Sequence, residues 1–155
     1  MNLSRFTRAP IAALALSMGL AAFPASAHVV PKNDAEAVVV GLLDTAFNQK
    51  KPAEAFETFG GAYYTQHNPT APDGKEAVVS LLSGWLPTVP QLHYDIKRII
   101  SDGDMVWVHS HVTTGPDDLG MAVVDIFRLE GGKVVEHWDV GTAVPESALN
   151  DNTMF

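Results

Sequence analysis

The chain of 155 residues contains no cysteine. That excludes disulfides, thiolate metal sites and cysteine nucleophiles, and leaves the fold to be held by its apolar core alone. Basic residues are also scarce: ten Lys and Arg stand against eighteen Asp and Glu, for a formal charge of −8. An acidic surface of this kind repels phosphate backbones, so nucleic acid is not an expected partner. Long apolar runs are rare too. The one clear case, "IAALALSMGLAA", follows Arg5 and Arg8 and precedes Pro24 and Ala25-Ser26-Ala27. A basic start, an apolar stretch and a small-residue A-x-A site in that order predict a secretory signal peptide over residues 1–27, with cleavage near Ala27/His28. The run is short for a permanent membrane span, and an uncleaved anchor or a buried helix is the alternative.

With no lipidation cysteine after the cleavage site and no twin-arginine pair before the apolar run, the mature protein is expected to be free, periplasmic or secreted, with no membrane attachment. Its domain would cover residues 28–155. Eight basic residues against eighteen acidic ones would give that domain a formal charge of −10.

What is present divides by texture. Residues 33–48 carry Val38, Val39, Leu42, Leu43 and Phe47 at helical spacing after an Asn/Asp start. Pro52 opens a second, shorter helical stretch, which Gly60-Gly61 is expected to close. "AYYTQHN" reads as extended. Asp73 and Glu76 have capping-box spacing, so "DGKEAVVSLLSGWL" is predicted to be a helix stopped by Pro87. From there the pattern turns to β: "QLHYDIKRII", "DMVWVHSHVTT", "GMAVVDIFRL" and "KVVEHWDV", separated by Asp102-Gly103, Gly115-Pro116 and Gly131-Gly132. Helices first and an antiparallel meander afterwards predict an α+β domain with the helices on one face of the sheet.

Side chains alternate along a strand, so Met105, Trp107, His109 and His111 share one face and Val106, Val108 and Val112 the other. A two-residue turn at Asp102-Gly103 would set Tyr94 opposite His111 and Ile96 opposite His109. A two-residue turn at Gly131-Gly132 would set Asp125 beside Trp138 and put His137 on the opposite, outer face. If the odd positions of "GMAVVDIFRL" join the histidine face, Asp125, Trp107, His109 and His111 line one pocket. A carboxylate among apolar residues is costly unless paired, and desolvation there suits it to acid/base work near neutral pH. The alternative is a structural ion pair between Asp125 and Arg98 or Arg128.

These motifs resemble a known family. "YTQHNPTAPDGKEAVVSLL", "DGDMVWVHSH" and "AVVDIFRLEGGKVVEHWDV" are similar to the SnoaL-like polyketide cyclases and predicted aldol-condensation enzymes of the nuclear-transport-factor-2-like superfamily. The resemblance implies a cone-shaped barrel: a curved antiparallel sheet packed on N-terminal helices, with a cavity at one end. It implies a homodimer through the outer sheet face, expected here at Val106, Val108, Val124 and Ile126. It also implies acid/base chemistry without metal or organic cofactor, by an aspartate and a histidine of the preceding strand, matching Asp125 and His111.

A small hydrophobic carbonyl compound is then the expected partner, with Tyr94, Trp107, His109 and Trp138 around it and His67 and Asn68 at the mouth. Alternatively Asn68 only caps the turn before Pro69 and His67 is merely exposed. Two other functions compete. Gly103 ahead of His109-x-His111 resembles half of a cupin-type metal signature, though the expected glutamate is missing. A binding protein with the same pocket and no turnover is the other.

Overall fold

The computed structural model describes residues 29–155; the predicted signal peptide lies outside them. Helix α1 (Asp34–Leu43) is capped by Asn33, whose side chain accepts the Glu36 N–H, and runs on as a wider π-type turn, Asp44–Asn48. Helix α2 (Pro52–Thr58) begins on its proline, and α3 (Lys75–Trp85) ends in a 3₁₀ turn at Leu86–Thr88. No helix among the described residues is long and apolar enough to cross a membrane.

Five strands follow the order β1-β5-β4-β3-β2 in a curved, unclosed sheet. They are β1 (Gly60–Gln66), β2 (His93–Asp102), β3 (Met105–Thr113), β4 (Met121–Glu130) and β5 (Lys133–Ala143). The last four form the expected antiparallel meander, and β1 joins its edge parallel to β5. Gly60 and Gly61 therefore open a strand rather than only closing α2. Nor does Asp73 cap α3: its carboxylate accepts the Gln66 N–H, and Gly74 precedes the helix without a side-chain cap. This bond ties the end of β1 to the start of α3.

Val39, Leu42, Leu43, Ala46, Phe56 and Val78 of the helices pack against Val106, Val108, Phe127 and Val134 of the sheet, burying the concave face. Three register details decide what shares that face. The β2–β3 turn is Gly103-Asp104, with Asp102 opposite Met105 and Gly103 at φ +59°. Glycine suits the first central position of such a tight turn. The turn lies one residue beyond the expected one, which moves every partner by two and keeps the facing, with Arg98 and Ile100 opposite His109 and Trp107; the one-residue slip that reverses facing comes further back along β2. A bulge at Lys97 follows, leaving Tyr94 opposite Val112 and Asp95 opposite His111.

The second detail is that β3 meets β4 with Val108 opposite Asp125 and Val106 opposite Phe127. Even positions of β3 share the concave side with odd positions of β4. Val106 and Val108 are fully buried core, not the outer face expected of them, whereas Val124 and Ile126 do lie outside, opposite His109 and Trp107. The third is a bulge in β5. Gly131 and Gly132 both adopt positive φ and close the turn with Leu129 opposite Val134, but Arg128 then pairs with Glu136. Val135 is the extra residue, buried against Gly61, where a Cβ would come within 2.6 Å of its methyl group. The bulge turns Glu136 and Trp138 outward and His137 inward.

Candidate active site

Between the helices and the concave sheet lies a cavity of about 570 Å³. Its walls are apolar, with Phe47, Phe56, Val78, Leu82, Val112 and Val123 prominent. Leu81, Trp85 and Met121 also line it yet are 43%, 40% and 44% exposed, which marks the open end. Its polar groups are Tyr64, Gln66, Asn68, Thr70, Tyr94, Asp125, His137 and Asp139. Large apolar walls with a few converging polar groups are the usual form of a small-molecule site.

Asp125 is 4% exposed, and both of its oxygens are engaged. The Tyr94 hydroxyl donates to Oδ2, and His137 Nε2 lies 3.1 Å from Oδ1. His137 Nδ1 in turn lies 3.0 Å from Gln66 Oε1, which also accepts the Asn68 N–H at 2.9 Å. A backbone N–H can only donate, so that side-chain atom of Gln66 is fixed as the acceptor, and Nδ1 must carry a proton. The Nε2···Oδ1 contact needs a further proton to be a hydrogen bond at all. The pair is therefore either imidazolium with carboxylate or imidazole with carboxylic acid, and is neutral overall in both. This resolves the cost of the buried carboxylate without a guanidinium. Arg98 instead meets His109, and Arg128 pairs with Glu136 at 2.6 Å.

Burial, then the charges of Asp125 and Asp139, hold the Tyr64 phenol well above its usual range. Burial, then the charge of Asp125, does the same to Tyr94. Both phenols stay protonated at neutral pH and serve as O–H groups. Asp139, opposite Asp125 across the β4–β5 ladder, accepts the Asn68 side-chain amide at 2.8 and 2.9 Å.

Of the residues read from the sequence as site candidates, the structure brings Asp125, Tyr94 and Asn68 together in the cavity. His111, His109, Trp107, Trp138 and His67 lie elsewhere. His111 and His109 stand on the outer sheet face, where the rings stack on Phe155 at 4.2 and 5.7 Å, and His111 Nε2 meets the Leu119 carbonyl at 2.8 Å. Trp107 faces outward between Ile100 and Ile126. Trp138 is outside as well, with the His67 ring stacked on it at 4.5 Å and His67 Nε2 2.8 Å from Glu136. Asn68 does cap its turn, accepting from the Thr70 N–H and hydroxyl, while its amide nitrogen reaches Asp139. His137, expected outside, supplies the imidazole of the cavity from the strand after Asp125 rather than the one before. Gln66, Tyr64 and Asp139 were not anticipated. The adjacent valines Val134-Val135, which break strand alternation, were the signal for the inward turn of His137.

Asp125, His137 and Asp139 offer ligand atoms all within 4.8 Å of one another, near enough for one metal ion to bridge. To take it, His137 would have to release Asp125 or Gln66, and Asp139 would have to share its oxygens with Asn68. His109-x-His111 faces the other side of the sheet and belongs to no such cluster among the described residues.

A cone of helices and curved sheet around an apolar cavity with a buried carboxylate and imidazole at its polar end defines a nuclear-transport-factor-2-like domain. The chain belongs to the SnoaL-like domain family, whose model matches residues 39–137. A search of curated protein sequences found no match. Among solved structures, a provisionally named polyketide cyclase from Acidithiobacillus ferrooxidans is 15% identical, with a TM-score of 0.62 over 73% of this chain and 91% of its own. TsrD from Streptomyces laurentii is 19% identical, with a TM-score of 0.60 over 73% and 91%. IdmH from Streptomyces antibioticus, also provisionally named a polyketide cyclase, is 19% identical, with a TM-score of 0.56 over 70% and 92%. At these identities the likeness is one of fold, and the family fits a small-molecule enzyme that works without a cofactor.

Proposed function

We propose that the protein catalyses acid/base chemistry on a small hydrophobic carbonyl compound, as an aldol-type condensation or cyclisation or a related lyase or isomerase step. The observation that carries this reading is the hydrogen-bonded chain Tyr94–Asp125–His137–Gln66 at the buried end of an apolar cavity. In the imidazolium–carboxylate form, Asp125 takes a proton from the carbon beside the carbonyl, and the C–H electron pair becomes the enolate. Asp125 is then neutral, and the charge of His137, no longer balanced by it, faces the enolate that has formed. The enolate attacks a second carbonyl, and the Asp125 proton passes to the new alkoxide, restoring the pair. His137 thus takes the part that the family resemblance gave to His111.

The basic, apolar and Ala-Ser-Ala order of the first residues supports export, so the substrate is one met outside the cytoplasm. The outer sheet face, with Val124, Ile126, Trp107, Trp138 and the 66% exposed Val140, supports association of two copies.

The test is exchange of the acidic α-hydrogens of β-tetralone, a bicyclic ketone small enough for the cavity, in heavy water. Deuterium incorporation above that given by heat-denatured protein, read by mass spectrometry, is the expected result. Incorporation no faster than that control, with β-tetralone shown to bind, would leave a binding protein instead.

A further inference from the structure

We infer that the cavity selects a cationic amphiphile, a protonated amine whose nitrogen is held by Asp139 and whose apolar body runs toward Trp85 and Met121. This rests on the cavity being the substrate site and adds the charge it selects. The charge of the polar end can be counted from its hydrogen bonds. Asp125 and His137 share one proton and cancel, with both oxygens and both ring nitrogens already occupied. Asp139 remains. Both of its oxygens accept from a single neutral donor, the Asn68 amide nitrogen, which leaves lone pairs on each. None of the ion pairs among the described residues includes Asp139, and the cavity lining contains no lysine or arginine.

A lone carboxylate facing apolar walls is a poor neighbour for an anionic head group and a good one for an ammonium. The charge-assisted bond it offers such a group is stronger than one between neutral partners. Asp139 lines the cavity, and its negative charge helps to raise the Tyr64 and Tyr94 phenols. An amine fits better than a metal ion, because both ring nitrogens of His137 are already hydrogen-bonded and Asp125 is balanced by His137. That leaves Asp139 as the one carboxylate of the cavity without a charge partner, and one carboxylate does not make a chelating site. The walls supply the other half of the selection: Leu82 and Val123 line the body of the cavity, and Leu81, Trp85 and Met121 edge its mouth.

Octylammonium, octanol and octanoate, which differ only in the head group, test this by isothermal titration calorimetry at neutral pH and fixed salt. Octylammonium is expected to bind roughly tenfold or more tighter than octanoate, with octanol between them. In Asp139→Asn the ammonium-to-octanoate ratio is expected to fall to within about threefold while octanol affinity is kept, which separates the carboxylate from the general acidity of the protein. Octanoate binding as well as octylammonium, a preference that survives Asp139→Asn, or no binding of any of the three would overturn the inference. Failure of β-tetralone exchange with the ammonium preference intact would count against the catalytic reading alone. Exchange without the preference would count against this inference alone.

Discussion

Replacing His137 by leucine separates the two halves of the buried pair. Leucine keeps apolar contact with Phe127, whose ring centroid lies 4.7 Å from that of the imidazole, so little packing is lost. Gln66 Oε1 keeps the Asn68 N–H. What changes is Asp125: its side chain is 6% exposed, and it would be left with the Tyr94 hydroxyl and no charge partner. Removing one member of a buried ion pair costs about 3–5 kcal/mol. Unfolding entropy near 2.1 cal/mol/K per residue over roughly 130 residues gives about 0.27 kcal/mol/K, so the melting temperature should fall by roughly 11–18 °C.

Asp125→Asn is the contrasting change. Its amide oxygen can accept from Tyr94 and its nitrogen can donate to an unprotonated Nε2, so every group stays satisfied and the cost should be under about 1 kcal/mol. In the Asp125→Asn background, His137→Leu no longer strands a charge and should cost about 2–3 kcal/mol less than alone. Urea unfolding of the four proteins of this cycle measures all three quantities. A His137→Leu cost below about 1 kcal/mol, or costs that simply add, would refute the shared-proton pair.

On the outer face, the hydrogen bond from His67 and then that from Arg128 hold the Glu136 carboxyl below its ordinary value of 4.5. A lowered folded-state value means that its contribution is present above the ordinary glutamate range and is lost as pH falls through the lowered one. The difference in melting temperature between the native chain and Glu136→Gln should therefore shrink on acidification below pH 4.5, and a difference that grows there would contradict the assignment. The apolar outer face gives the other prediction. Light scattering should report twice the chain mass, and Ile126→Asp should return it to the single-chain value without loss of helix or strand signal; a native chain that is already single would refute the dimer.

How much of this was legible in the sequence divides along one physical line. Element type was legible because periodicity and turn residues are local: α1 and α3, the four β-rich runs and their order all appear in the structure. The placing of Asp125 and Tyr94 in the cavity was legible because a carboxylate in "MAVVDIFRL" needs a partner wherever it is buried. Strand facing was not. The turn falls at Gly103-Asp104 rather than Asp102-Gly103, which moves the partners by two and keeps the facing. The bulge at Lys97, however, reverses the β2 side chains from Ile96 back to His93 relative to β3, and no turn residue marks it. The Val135 bulge then exchanges His137 and Trp138, and the only local sign of it is the pair of adjacent valines ahead of "EHWD". Its cause is the space at Gly61, some seventy positions earlier, brought alongside only by the parallel pairing of β1 and β5. His109 and His111 looked like site residues because polar groups on an apolar strand attract attention. The structure gives that polarity to the outer face, where Phe155 covers it.

The most direct measurement is the rate of β-tetralone deuteration by Asp125→Asn and by His111→Ala, each shown to unfold near the native temperature. Loss of roughly 10²–10⁴-fold is expected for the first, the usual contribution of a general base, and a rate within about twofold of native for the second, whose ring lies across the sheet from the cavity. An unimpaired Asp125→Asn, or a His111→Ala as slow as that variant was expected to be, would contradict the account.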